Sequence, residues 1–292
     1  MSGVPTNRTD ITLPADVSAE ILQKTQEESA VMRLARQIEL PGRGASIPVI
    51  SADPEAAWVG ETEAKPVSNP TLGTKLMSAY KLAVIVPFSN EFRRDAAALY
   101  DALVQRLPLA LATKFDATVI GAVTKPGTNF DNFASCQTQE IGTDAYEGLV
   151  AADQDIAEHG GILSGFAMSP QGKGALLAAT DGNGRPLFVN SVAEGAIPMI
   201  LGAPVYVNKG CYDADDDVVG IAGDWSQAMY GTVEGVKIDY SSDATLVTGE
   251  SGSETTISLF QQNMFAVRAE IELGFRADTA CFNLLTKTAA SE

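Results

Sequence analysis

The chain holds one histidine, His159. A Ser-His-Asp or Cys-His nucleophilic site would have to use it. It closes the run DAYEGLVAADQDIAEH just before Gly160 and Gly161, and no Gly-x-Ser-x-Gly elbow occurs in the chain. An imidazole beside the negative end of a helix reads as a cap rather than a base. SGFAMSPQGKG has the look of a phosphate-binding loop, but the G-x-x-x-x-G-K-[S/T] spacing is missing, and Gly174 stands where the magnesium-binding hydroxyl belongs. Asp213, Asp215 and Asp217 in CYDADDDVVGIAGD match the opening of a calcium loop. The glycine expected at its sixth position is Val218, and the bidentate glutamate at its twelfth is Asp224. A solvated acidic loop is the simpler reading, and a metal-dependent enzyme built on those aspartates is the catalytic alternative. The three cysteines, Cys136, Cys211 and Cys281, are far apart and form no C-x-x-C pair. Free thiols in a reducing compartment fit better than a disulfide framework or a zinc site. No site for turnover emerges, and neither a metal nor a cofactor is expected.

The elements that would have to position any chemistry are mixed α and β. Residues 1–15 are polar with two prolines and read as an extended arm. Residues 16–36 read as one helix with Ser18 as its cap. ASIPVI is a strand, and KLAVIVPF is a near-continuous apolar run that should end at Pro87. Between them lies WVGETEAKPVSNPTLGTKLMSAY, broken by Gly60, Pro66, Pro70 and Gly73, which predicts an extended loop or long hairpin. Trp58 and Tyr80 could anchor its base.

The strongest helical stripe follows: Phe92, Ala96, Leu99, Leu103, Leu107, Leu111, Phe115 and Val119 recur in steps of three and four. Starting from Ser89 as N-cap, that helix would be roughly 50 Å long, with a kink at Pro108. Residues 144–159 predict a helix stopped by the glycine pair. ILSGFAMSP, PLFV, APVYVN, VVGIAG, AMYGTV and KIDYS read as short strands, QGKGALLAAT as a helix and DGNGRP as a tight turn. Over 263–276, Phe265, Val267, Ala269, Ile271, Leu273 and Phe275 alternate with Arg268, Glu270, Glu272 and Arg276, which is the period of a long strand with one face on a core.

Composition sets limits on partners. The chain has 292 residues and a formal net charge of −17, so it lacks the overall basic footprint that gripping nucleic acid requires. The acidity serves solubility, or a surface that lies near DNA without adhering to it. No apolar run reaches the ~18 residues of a membrane span, and no secretory signal opens the chain. A cytoplasmic setting is expected. A long loop, a long strut and an arm, with no catalytic centre, suit a subunit that contacts copies of itself.

Four segments in order carry a resemblance to the tailed-bacteriophage major capsid proteins with the Hong Kong ninety-seven-type fold. WVGETEAKPVSNPTLG through KLAVIVPFSNEFRRDA is similar to the family's extended loop and the start of its spine helix. GFAMSPQGKGALLAATDGNGRPLF is similar to its Met-Ser-Pro helix and Asn-Gly-Arg turn. GDWSQAMYG resembles its Gly-Asp-Trp-Ser-Gln-Ala signature, and LFQQNMFAVRAEIELGF resembles its closing strand.

The resemblance implies an α+β capsid fold: N-terminal arm 1–40, extended β-hairpin loop 41–88, peripheral domain with spine helix 89–143, axial domain 144–250, and peripheral closing strand with C-terminus 251–292. It implies a non-enzymatic shell subunit assembling as pentamers and hexamers in the host cytoplasm. The shell would enclose double-stranded DNA without reading its sequence. About 40 residues precede the loop, so a separate scaffolding protein or prior processing is expected, alongside a portal and a possible decoration protein. Trp58, Glu61 and Trp225 would be loop and interface contacts. Some family members join a loop lysine to a neighbour's asparagine with a glutamate as base. Lys65 or Lys75, Asn263 and Glu270 resemble that set, although residues seven apart on a regular strand face opposite ways. An encapsulin-type nanocompartment shell is the alternative within the same fold.

Overall fold

The computed structural model describes residues 15–42, 44–50, 58, 72–91, 96–180, 187–188, 199–248, 253 and 255–287. In chain order the elements are α1 (Ala15–Glu28), α2 (Ala30–Leu34), β1 (Arg36–Glu39), β2 (Ala45–Ile50), β3 (Leu72–Met77), β4 (Tyr80–Ser89), α3 (Ala96–Ile120), β5 (Gln137–Glu140), α4 (Ala145–Glu158), β6 (Gly165–Met168) and α5 (Pro170–Ala178). Then come β7 (Met199–Ile200), β8 (Ala203–Val207), β9 (Val218–Gly223), β10 (Ala228–Thr232), β11 (Lys237–Ser241), β12 (Thr245–Thr248), β13 (Thr255–Ser258), β14 (Met264–Ala277) and β15 (Phe282–Thr286).

Two large sheets organise most of these strands, and β2–β3 and β12–β13 form separate antiparallel pairs. In the first, β14 is the long central member. β4 runs antiparallel along one side of it, from Met264↔Ser89 to Leu273↔Tyr80. β11 and β10 share the other side, and β1 lies parallel to β10 at the margin. The second sheet has the order β5-β15-β9-β6-β8-β7. The alternating set Phe265 to Phe275 of β14 faces the main core, where it meets Leu107, Leu111, Phe115 and Val119 of α3 and Ile21 and Val31 from the N-terminal helices. A second core forms where Leu149, Ala152 and Ile156 of α4 and Leu176 of α5 cover Phe166, Val219 and Leu285 of the second sheet.

The chain passes between the sheets first through α3 and the connection to β5, and then twice more, each time through a short 3-10 turn capped by an aspartate. Asp224 accepts from Ser226 N at 3.0 Å and leads from β9 to β10. Asp278 accepts from Ala280 N at 3.3 Å and leads from β14 to β15. The turns bond to each other, Asp224 N to Cys281 O at 3.0 Å and Asp278 N to Gln227 O at 3.2 Å. Strand pairing therefore groups the chain differently from the boundaries expected at residues 144, 250 and 251. Residues 228–241 belong with β14, while 137–140 and 282–286 belong to the sheet of β6 and β9. Two crossovers of four residues each leave no compositional mark.

Other expectations shift at their edges. The N-terminal helix is broken: Ser29 caps a separate α2, and the chain becomes a strand from Arg36. From residue 15 onward this region is part of the core and the sheet rather than an arm, and Ser18 lies inside α1. Residues 1–14 lie outside the described residues, as do the DGNGRP turn and most of the PLFV strand, of which Leu187 and Phe188 form only a bend. β4 continues through Pro87, paired with Ala266, to Ser89. A proline is tolerated there because β4 has no partner on its other side among the described residues. Ser89 is the last residue of β4, and its Oγ accepts from Glu91 N at 3.4 Å in the 3-10 segment that follows. α3 runs for 25 residues, with Pro108 inside it, a length of about 37 Å. α4 matches its expected span, with Asp144 as N-cap accepting from Tyr146 N and Glu147 N.

Candidate functional site

The groups that looked chemical in sequence are spent on structure. His159 is the C-cap of α4, its Nδ1 2.8 Å from Asp155 O. Cys281 Sγ lies 3.8 Å from the backbone oxygen of His159. Its thiol is pushed up by burial, with Asp278 and Asp224 adding to the effect. Burial drives Cys211 well above the thiol range, and Asp116 adds to it. Cys136 is pushed up to about 12 by burial alone. A cysteine nucleophile needs the opposite shift. Ser169 caps α5, accepting from Gly172 N at 3.1 Å and donating to Val219 O at 2.8 Å, so the SPQGKG turn serves its own helix. Asp213 Oδ1 accepts from Asp215 N at 3.0 Å, and Asp217 sits at φ 52. Among the described residues no three His, Cys, Asp or Glu side chains gather as a metal site.

Of the expected cross-linking set, Lys75, Asn263 and Glu270 lie among the described residues. Asn263 precedes β14 at φ 54, so the alternation of a regular strand does not govern its side chain. Its Oδ1 accepts from Asn90 Nδ2 at 2.8 Å, and its backbone oxygen accepts from Asn90 N at 3.0 Å. Glu270 faces Lys81, whose Nζ is 2.7 Å from Glu270 Oε1 and 3.4 Å from Glu272 Oε1. Arg268 bonds Asp239 on the same face. The hydrogen bond from Lys81 holds the Glu270 carboxyl below its ordinary value against partial desolvation. That makes it a weaker proton acceptor, contrary to what deprotonating a lysine requires. Lys75 turns back to its own chain, with Nζ 3.3 Å from Ala277 O. Ala277 is the end of β14 remote from Asn263, roughly 45 Å along a 14-residue strand. Lys65 and Glu61 lie outside the described residues.

The two tryptophans part company. Trp58 is wholly exposed (104%). Trp225 is buried at 2%, so it is not an interface contact in this subunit. Its Nε1 donates to Gly165 O at 2.9 Å, and its ring meets Phe282 and Phe133 edge-on. Gly165 is required by that packing: a Cβ there would clash with Leu34 Cδ2 and come within 3.1 Å of Trp225 Cδ1. The Gly-Asp-Trp-Ser-Gln-Ala segment is thus the crossover between the sheets.

At the base of the long loop sequence reasoning named Tyr80, whose Oη accepts from Asn129 N at 3.2 Å, and Trp58, which is instead fully exposed; it missed the other groups that hold the base. β2 and β3 pair antiparallel from Ala45↔Met77 to Ile50↔Leu72, closing residues 51–71 at their root. Arg276, Asp131 and Asn129 grip that root. Arg276 stands 145 and 147 residues from the other two in sequence, so no local spacing could have linked them. Buried Asp116 was missed for the same reason.

The phage capsid family model matches residues 9–279. A probable major capsid protein of Mycobacterium phage L5 is 28% identical over 298 residues, covering 96% of this chain and 90% of that protein. A structure from Mycobacterium phage Bobi shares the fold with a TM-score of 0.68 at 19% identity, over 99% of this chain and 96% of that one. The capsid of a native GTA particle, computed with C5 symmetry, gives 0.60 at 17% identity over the same shares.

Proposed function

Because the chain belongs to the phage capsid family and is a major capsid protein of the tailed-phage type, whose copies form the virion shell, we propose how its parts divide that work. The first sheet, with α3 as its spine, is the peripheral part of the subunit. The second sheet, with α4 and α5, is the axial part, set around the fivefold and sixfold axes of pentamers and hexamers. Residues 51–71 reach from the β2–β3 root onto a neighbouring copy, with Trp58, Glu61 and Lys65 among the contacts. The observation that carries this reading is Trp58, an indole left entirely in water beyond a root that is itself packed and bonded. Large aromatics left bare on a subunit mark contact sites.

The shell subunit performs no turnover, in keeping with a family of structural capsid proteins. It encloses double-stranded DNA without gripping it, since a charge of −17 repels phosphates rather than displacing their counterions. A separate scaffolding protein, a portal and a decoration protein are its proposed partners, and the host cytoplasm its place of assembly. Of the cross-linking residues, Glu270 is already occupied by Lys81 of the same subunit, which favours a shell held by non-covalent contacts. The phage relatives decide for a genome-enclosing shell over a cargo-holding nanocompartment. Negative-stain microscopy of Trp58→Ala beside the unaltered chain tests the loop reading. Fewer or open shells from a normally folded variant are expected; an equal yield of identical shells refutes the role given to the loop.

A further inference from the structure

Three features converge on the root of the long loop. Arg276, near the end of β14, donates through Nε and Nη2 to the backbone oxygen of Leu76 in β3. Its Nη1 bonds Asp131 Oδ1 at 2.7 Å, and its Nη2 reaches Asn129 Oδ1 at 3.1 Å. Asp131 and Asn129 belong to the connection after α3 and are themselves tied down. Asp131 Oδ2 accepts from Ala277 N at 3.3 Å, Asn129 N donates to Tyr80 Oη at 3.2 Å, and Asn129 Nδ2 donates to Ser78 Oγ at 3.1 Å.

The second feature is a notch. Gly231 and Gly274 stand directly opposite each other in β10 and β14. A Cβ on Gly274 would fall 2.8 Å from Met77 Cγ and from Ser78 O, and one on Gly231 would clash with Leu40 Cγ. The notch lets Leu40 and Met77 settle on the outer face of the sheet, where with Ile47 they form a small buried cluster. The third feature is Lys75, which bonds Ala277 O from the adjoining position of β3. Bonds and packing thus hold both sides of the two-residue link between β3 and β4, the place where the root would otherwise pivot.

We propose that Arg276 is the positioning residue of the long loop: with Asp131 and Asn129 it locks the β2–β3 root to the end of β14, so that the first sheet sets the direction in which residues 51–71 leave the subunit. A planar guanidinium suits the task because it serves a carbonyl, a carboxylate and an amide oxygen at once from a fixed fork. The consequence is geometric. Bending between neighbouring subunits then originates in how whole sheets dock, since the loop does not swing at its root. This inference rests on the reading of the loop as the reach between copies.

The test compares Arg276→Ala, Arg276→Lys and Asn129→Ala with the unaltered full-length chain. Hydrogen exchange on unassembled protein reads the root directly. Amides of 45–50 and 72–77 are expected to exchange at least tenfold faster in Arg276→Ala, less so in Arg276→Lys, while those of α4 and β9 keep their rates. Under conditions where the unaltered chain closes shells, Arg276→Ala should give open sheets, spirals or shells of mixed diameter, and Arg276→Lys a partial return to uniform shells. Should Arg276→Ala fail to fold, Asn129→Ala, which removes fewer bonds, carries the same expectation in weaker form. Unchanged root exchange, or a loosened root with shells of unaltered size and closure, overturns the inference. If the unaltered chain reaches no neighbour through its loop, judged by Trp58→Ala assembling normally, the underlying reading fails instead.

Discussion

Asp116 sits fully buried on α3, with its carboxylate at the start of α2. Ser29 Oγ donates to one oxygen and Ala30 N to the other at 2.9 Å, and Val31 N lies 3.4 Å away. Desolvation outweighs these bonds and raises its pKa from 3.8 to about 7. An acid that holds its proton more tightly when folded gives stability that is complete below pH ~4 and is lost as pH rises through ~7. The folded chain should therefore be more stable at pH 5 than at pH 8 by a few kcal/mol at most, since a tenfold change in proton affinity is worth about 1.4 kcal/mol. Asp116→Asn should flatten that difference, measured by denaturant midpoints and by exchange over residues 15–34. A variant that keeps the full pH dependence would assign it to other groups. Glu270 shifts the other way, held low by Lys81. Particles boiled in denaturant are accordingly expected to run as monomers on a gel; a ladder of covalent oligomers would show that a neighbour's lysine displaces Lys81.

Among the elements, the paired 3-10 turns at residues 224–227 and 278–281 hold the two sheets in register. Trp225→Ala would leave a cavity between Phe133, Phe282 and Gly165 and should cost about 3–5 kcal/mol, whereas Asp278→Ala, a lost cap on an exposed turn, should cost about 1 kcal/mol. Denaturant unfolding distinguishes the two; equal small losses would mean that the crossover is not where the sheets are joined. What was legible in the sequence follows from how local the cause is. The alternation of β14 and the Asp144 cap of α4 lie within their own segments, and both elements were expected where they stand. The break at Ser29 depends on a carboxylate 87 residues away, and the continuation of β4 past Pro87 depends on which side has a partner. The exchange of strands between sheets depends on partners remote in sequence, such as Asn283 of β15 beside Gln137 of β5. The stretch was foreseen as an extended loop or long hairpin with Tyr80 at its base, but Arg276 and its partners were not foreseen, because Arg276 read only as the polar face of an alternating strand.

For the whole molecule, net charge constrains assembly. Each copy carries −17, so bringing copies together meets like-charge repulsion. Salt screens that repulsion over ~10 Å at about 0.1 M. Assembly of the purified chain, followed by light scattering, should therefore accelerate between about 0.05 and 0.3 M salt. A rate that falls with salt would instead mean that complementary charge patches drive encounter. The same acidity suits the proposed role of enclosing DNA without reading its sequence.

The claim that the chain builds a closed shell meets its most direct test in electron microscopy of the purified full-length protein, expressed alone and together with the proposed scaffolding protein. Closed, uniformly sized shells or five- and six-membered capsomer rings are the predicted result. A compact monomer that persists in both preparations would contradict it.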